Sequence, residues 1–307
     1  MTEVGTQVVL VVLVLAITLG PALMAGWFLR RRKRISRQQR RSPLVGDLLR
    51  APGQTLREQI EDMRQDVAFD LAAMMFVPTL PLALFFLHGA LLARPVSAVV
   101  LVLTFVAVAG LVAFQIRSLL RRSEKLDRLR LGLDAEAAVG EELQQLVRQG
   151  ATIFHDFPAE KFNIDHVVIA SQGVFAVESK GYSKPNRGLG KEDATVGFDG
   201  QVLKFPTWAS TKPVEQAERQ AEWLAKWLGS AIGSPVGVLP VLALPGWFVE
   251  RTGRGRVRVF SGRELGSLLN ARGARPLSAE EIKRVVHQVE QRCRTVSPVY
   301  APDPEQT

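Results

Sequence analysis

The stretch NIDHVVIASQGVFAVESK, residues 163–180, decides how this chain is read. Two runs rich in Val, Ile and Phe, 163–170 and 173–180, flank Ser171-Gln172-Gly173, whose polar and glycine residues mark a tight turn. The two runs are therefore expected to pair as an antiparallel hairpin. Side chains alternate between faces along a strand. Val174, Ala176, Glu178 and Lys180 then share one face of the second strand, while Phe175 and Val177 point to the other. On the first strand Asp165 lies opposite in sense to Ile164, His166 and Val168. Across this hairpin Asp165 and Glu178 converge at one end. Two carboxylates with a neighbouring carbonyl make a hard-oxygen site suited to Mg²⁺ or Mn²⁺. A lysine two residues beyond the second carboxylate can orient a water or stabilise a charged phosphate. Phosphodiester hydrolysis needs such a set. The same residues also read as strand-end surface charges or a salt bridge, and spacing alone leaves both open. Glu281-Ile282-Lys283 repeats the Glu-x-Lys spacing within a helical stretch, where it is an ordinary solvated face.

Working outward, strand 152–157 precedes the hairpin, and a helical stretch from Asp134 to Gln149 closes at Gly150, a C-terminal capping glycine. Residues 182–200 read as a Gly- and Lys-containing loop or short ribbon. An amphipathic helix is expected at 214–228, strands at 236–244 and 256–260, a short helix at 262–269 and a final helix at 278–292. Trp208, Trp223, Trp227 and Trp247 can stack bases or pack, with Trp223 and Trp227 four apart on the helix and better suited to packing. Lys184, Arg187 and Lys191 can touch phosphates or simply be solvated. His166, pointing away from Asp165, reads as packing or hydrogen bonding, and His155 as structural. There is no phosphate-binding P-loop, dinucleotide fingerprint or Ser-His-Asp order.

The charge is divided unevenly. The chain of 307 residues carries 39 Lys and Arg against 30 Asp and Glu, a net of +9. Residues 131–307 hold 21 of each sign, so the whole excess lies in residues 1–130. Apolar residues make up 47%, which excludes a mainly disordered chain, and the single cysteine, Cys293, excludes a disulfide framework. Three apolar runs, 8–29, 71–93 and 95–116, are each long enough to cross a bilayer as a helix. A cleaved or interfacial first segment is the alternative. Arginines and lysines cluster at 30–41 and 117–130, while the opposite ends carry little beyond Glu3 and Arg94. The positive-inside rule places both clusters, and everything after 117, on the cytoplasmic side of the inner or plasma membrane, against anionic lipids.

The stretch from about 138 to 269 resembles the NERD (nuclease-related domain) family of the PD-(D/E)xK restriction-endonuclease-like superfamily. The resemblance rests on Gly140-Glu141, the Ile164-Asp165-His166 strand, Gly173 to Lys180, Pro213 to Ala217 with Gln216, and the later strands, all in order. It implies an α/β fold, a restriction-endonuclease-like mixed sheet flanked by helices, which by the apolar runs is expected to be preceded by about three transmembrane helices. It also implies Asp165 and Glu178 as metal ligands for Mg²⁺ or Mn²⁺ and Lys180 as the catalytic lysine. Glu141 would assist from the first helix, with Glu142 competing for that role, and Gln216 would add a polar contact. Lys212 stands where the family often has Asn, and the 181–208 loop is long for the family.

The expected organisation is a first span at 1–29, a basic cytoplasmic linker with an amphipathic helix at 30–70, a helical hairpin at 71–116, a basic linker at 117–133, the nuclease-like domain at 134–270, and a helix with tail at 271–307. The expected function is a membrane-anchored, cytoplasmic, metal-dependent nuclease acting on DNA rather than RNA. A non-catalytic nucleic-acid-binding or scaffolding protein of the same fold is the rival, favoured by the near-neutral charge of 131–307. A homo-oligomer or a protein partner is left open.

Overall fold

A computed structural model describes residues 46–76 and 97–298, with a few single positions before 46 and at Phe85. Two compact units divide the chain: 1–45 with 61–127 and 299–307, and 46–60 with 128–298. The expected span at 8–29 lies almost wholly outside the described residues, as does most of that at 71–93.

The strands are β1 (Leu48–Leu49), β2 (Thr152–Pro158), β3 (Asn163–Ala170), β4 (Gly173–Ser179), β5 (Thr195–Phe198), β6 (Leu203–Lys204), β7 (Ala209–Ser210), β8 (Val238–Leu244), β9 (Phe248–Arg251), β10 (Arg258–Ser261) and β11 (Arg294–Val296). The helices are α1 (Gln54–Phe76), α2 (Ala98–Gln144), α3 (Lys212–Ile232) and α4 (Ala279–Cys293), with 3-10 turns at Gln145–Gln149, Gly190–Ala194 and Gly262–Asn270.

A mixed five-stranded sheet in the order β10-β8-β4-β3-β2 forms the centre of the second unit. The hairpin that the sequence suggests is present: β3 and β4 pair antiparallel with Val167 opposite Ala176 and Ala170 opposite Gly173. β8 then joins β4 in parallel, as helix α3 between them requires. Every residue of β4 is buried because both faces of the sheet are covered. On one face Val167, Ile169, Val174 and Ala176 pack under Ala221, Leu224 and Leu228 of α3 and Val285 and Val289 of α4. On the other, Val168, Phe175 and Val177 meet Val139 and Leu143 of α2 and Leu265 and Leu268 of the last 3-10 turn. A smaller four-stranded sheet, β7-β6-β5-β9, carries a third apolar cluster around Trp247.

Three expectations about organisation change, and the expected spans are covered only in part by the described residues. Residues 117–133 are not a linker but the middle of α2, which runs unbroken from Ala98 to Gln144. No Pro or Gly-Ser pair interrupts that stretch, so nothing stops the helix. Residues 46–60 belong to the folded nuclease-like unit rather than to a free linker, and β1 pairs with β11. Helix α4 is part of the core rather than an appendage, with Val285, Val289 and Cys293 buried. It starts on a capping box in which Ser278 and Glu281 exchange hydrogen bonds, which gives the Glu281-Ile282-Lys283 triplet a structural use. Lastly, among the described residues one helix, beginning at Ala98, is long and apolar enough to cross a membrane by length and composition, with none of its most apolar window buried.

Candidate functional site

The end of the β3–β4 ladder gathers the polar residues. Asp165 lies on the same face as Val167 and Ile169, and Glu178 on that of Val174 and Ala176, so both carboxylates look toward α3. There the amphipathic helix supplies Gln216, whose Nε2 donates to Glu178 Oε1 over 2.7 Å. Lys180 Nζ donates to the same oxygen at 2.5 Å. Asp165 is fixed by the backbone N–H of Ser179, which donates to its Oδ2 over 2.7 Å. One cleft of about 650 Å³ is lined by Asp165, Glu178, Lys180 and Gln216, and also by Glu136 of α2 and Thr55, Leu56 and Gln59 of α1.

Glu141 takes a different place. It is exposed and does not line the cleft, and Glu142 bonds to Gln145 on the same helix over 3.1 Å. The acid that α2 turns into the cleft is Glu136, 9% exposed, which the sequence reading passed over. Burial first, then the negative charges of Asp156 and Glu178, push its carboxyl up to about 7. Burial and the charges of Glu178 and Glu136 raise Asp165 well above the usual carboxylate range. For Lys180, burial opposes the charged form, but the attraction and hydrogen bond of Glu178 outweigh it and hold the ammonium charged.

This cluster of close, buried carboxylates suits a divalent cation. Glu178 Oε2 and Glu136 Oε2 are buried with no hydrogen-bond partner, which is costly unless something else binds them. Among the described residues no three His, Cys, Asp or Glu side chains close into a metal-binding group. Asp165 and Glu178 are the two carboxylates that meet at the end of the hairpin, and Glu136 lines the same cleft. Mg²⁺ is commonly held by one or two carboxylates with its remaining positions hydrated, so this all-oxygen pair fits it.

Behind the sheet, His155 and His166 face each other across β2 and β3 with Nδ1 atoms 2.8 Å apart, and His166 Nε2 lies 3.1 Å from Ser179 Oγ. His155 thus has the partner that the sequence did not reveal, across an irregular turn. Burial drives both imidazoles toward the neutral form, His155 to about 4. The pair stands on the face opposite the carboxylates, consistent with the packing and hydrogen-bonding role read for His166.

The exit of β4 leaves no room for a side chain at Gly181. A Cβ there would sit 2.6 Å from Leu131 O and 2.9 Å from Ala135 Cβ on α2. Gly181→Ala is expected to push α2, and Glu136 with it, away from the cleft, at a cost of about 1–3 kcal/mol. Thermal melting of the two proteins checks this, and an unchanged melting temperature would refute the close approach.

Residues 131–245 match the family model for the nuclease-related domain, NERD. The match supports the resemblance carried by Asp165, Glu178 and Lys180, and it ends before β9, β10 and α4, with residues 46–60 also outside it. No match was found among curated proteins or among solved structures.

Proposed function

We propose that the unit formed by residues 46–60 and 128–298 is a divalent-metal-dependent nuclease-like domain that hydrolyses phosphodiester bonds, in DNA rather than RNA. The observation that carries this reading is the cleft in which Asp165, Glu178 and Lys180 converge while two buried carboxylate oxygens, on Glu178 and Glu136, stay unpartnered. Mg²⁺ or Mn²⁺ held by Asp165 and Glu178 would polarise the scissile phosphate and make a nearby water more acidic. The protein's own groups prepare that chemistry. Ser179 N–H fixes the rotamer of Asp165, Gln216 and Lys180 fix that of Glu178, and the Lys180 ammonium stands ready to stabilise charge that develops on the phosphate. Such preorganisation matters because the groups need not reorient as the reaction proceeds.

The reading includes anchorage in the inner or plasma membrane with this domain cytoplasmic. Two observations support it. The start of α2 is long and apolar enough to cross a bilayer. Residues 46–60 and 128–298 also fold as one unit, so a chain that enters the membrane between them must return before 128. The two apolar runs at 71–93 and 95–116 satisfy that requirement, and the basic clusters at 30–41 and 117–130 would then face anionic lipid on one side. The run at 8–29 would add a third span.

The experiment uses the full chain in nanodiscs with linear, circular and single-stranded DNA and with RNA, in Mg²⁺ or Mn²⁺. Cleavage is expected to require the metal and to fall by about a hundred- to a thousandfold in Asp165→Ala and Lys180→Ala, the loss typical of removing one principal transition-state-stabilising group. Metal-independent cleavage, or full activity in both variants, would contradict the proposal. Metal binding without cleavage of any substrate would favour the non-catalytic scaffold, to which the balanced charge of 131–307 also points.

A further inference from the structure

Packing separates the four tryptophans of this domain. Trp247 is buried and donates its Nε1–H to Tyr182 O over 3.2 Å. Trp223 and Trp227 lie against Phe157, with the Arg292 guanidinium over both rings. Trp208, by contrast, is 39% exposed. Its ring is nonetheless held firmly. Phe205 stacks on it with centroids 4.0 Å apart and planes within 14°, and Tyr182 meets it edge-on at 4.9 Å. The turn that carries both rings is closed by Phe205 N–H donating to Trp208 O over 2.8 Å. One side of a rigid aromatic stack is therefore presented to solvent.

Its neighbours tie it to the cleft. Tyr182 is two residues beyond Lys180. On the other side of Trp208 the chain turns through β7 into α3, whose Gln216 reaches Glu178. Lys212, four residues beyond Trp208, is exposed and can meet a phosphate, while Lys204, four residues before it, is exposed and paired with Asp199 over 3.1 Å. A preorganised, part-exposed ring held by Tyr182, which follows Lys180 and Gly181 of the cleft wall, suits a nucleobase, which has a flat face of its own whatever its identity.

We propose that Trp208 is a base-stacking platform that takes an unpaired nucleobase of the substrate while the backbone phosphate lies at Asp165, Glu178 and Lys180. Inside a duplex both faces of each base are covered by its neighbours. The platform therefore selects single-stranded stretches and frayed ends over intact duplex. This deepens the nuclease reading and rests on it.

The test uses the full chain in nanodiscs with Ca²⁺ replacing Mg²⁺, to hold substrate without turnover, and a short single-stranded oligonucleotide carrying 2-aminopurine. Wild type and Trp208→Phe are expected to quench the probe and bind alike, while Trp208→Ala binds about tenfold more weakly without quenching. Replacing the probe by an abasic site should cost wild type the same factor and cost Trp208→Ala nothing further. Melting temperatures of the variants exclude misfolding. Equal binding by wild type and Trp208→Ala overturns the platform but leaves the nuclease reading standing. The same result, with quenching by brominated lipid that is lost in Trp208→Phe, also overturns it and assigns the ring to the bilayer surface. Failure of wild type to bind any oligonucleotide overturns both.

Discussion

Arg50→Ala is expected to lower the melting temperature of the nuclease-like unit by about 6–12 °C, the equivalent of roughly 3 kcal/mol in a domain of this size. Arg50 stands 106 positions before Asp156, yet its Nε and Nη2 donate to Asp156 Oδ2 at 2.9 and 2.6 Å. The same oxygen accepts from the backbone N–H and the hydroxyl of Thr55, both at 2.8 Å, while Asn163 donates to Oδ1 at 3.0 Å. Asp156 is buried and is the non-glycine residue with positive φ, 48°, among the described residues. A carboxylate in such a place and conformation is held there by its partners. Removing the guanidinium leaves a buried charge without its cation, a larger loss than the pair's own net contribution. The effect should reach the cleft, because Thr55, Leu56 and Gln59 form part of its wall. A fragment beginning at 128 lacks this wall and should show the same instability. Thermal melts of the full chain in nanodiscs, read by tryptophan fluorescence, decide it. A shift under about 2 °C for Arg50→Ala would mean that the segment merely rests on the domain.

That clamp marks the limit of what the sequence made legible. The Asp165–Glu178–Lys180 set was readable because it depends on local rules: period-two alternation, a two-residue turn, and the register that such a turn imposes. Gln216 came from the family resemblance rather than from periodicity, and in the structure α3 places it against Glu178. The expected helix acid rests on the Gly140-Glu141 match of the resemblance, whereas α2, which runs from Ala98 to Gln144, gives no local mark of its inward face. Five residues along a helix is a rotation of about 140° beyond one full turn, so Glu136 and Glu141 cannot both face the cleft. Residues 46–60 could not have been assigned to the domain from sequence. Their attachment is the contacts of Arg50 and Thr55 with Asp156 and a two-stranded pairing with β11, and none of these leaves a periodic pattern.

Glu136→Gln should separate stability from function. With its carboxyl raised from 4.5 to about 7, the folded protein holds a proton there that the unfolded chain has released. The folded state binds more protons between these values, so this group makes stability fall as pH rises from about 4.5 to about 7 and leaves a constant deficit above. The deficit is on the order of 3 kcal/mol for a shift of that size. The glutamine variant lacks it, and is expected to melt higher than wild type at pH 8 and alike near pH 4.5. Divalent cations should act in the opposite sense. Mn²⁺ is expected to stabilise wild type far more at pH 8 than at pH 5, because only the ionised cleft attracts it. That gain should shrink in Glu136→Gln along with the rate of cleavage. Melting curves across this pH range, with and without Mn²⁺, provide the check. A variant less stable than wild type at pH 8, or an undiminished response to Mn²⁺, would show that Glu136 is there to support α2 rather than to charge the cleft. The unpartnered Oε2 atoms of Glu136 and Glu178 favour the second role, since a purely structural carboxylate would have drawn donors around both of its oxygens.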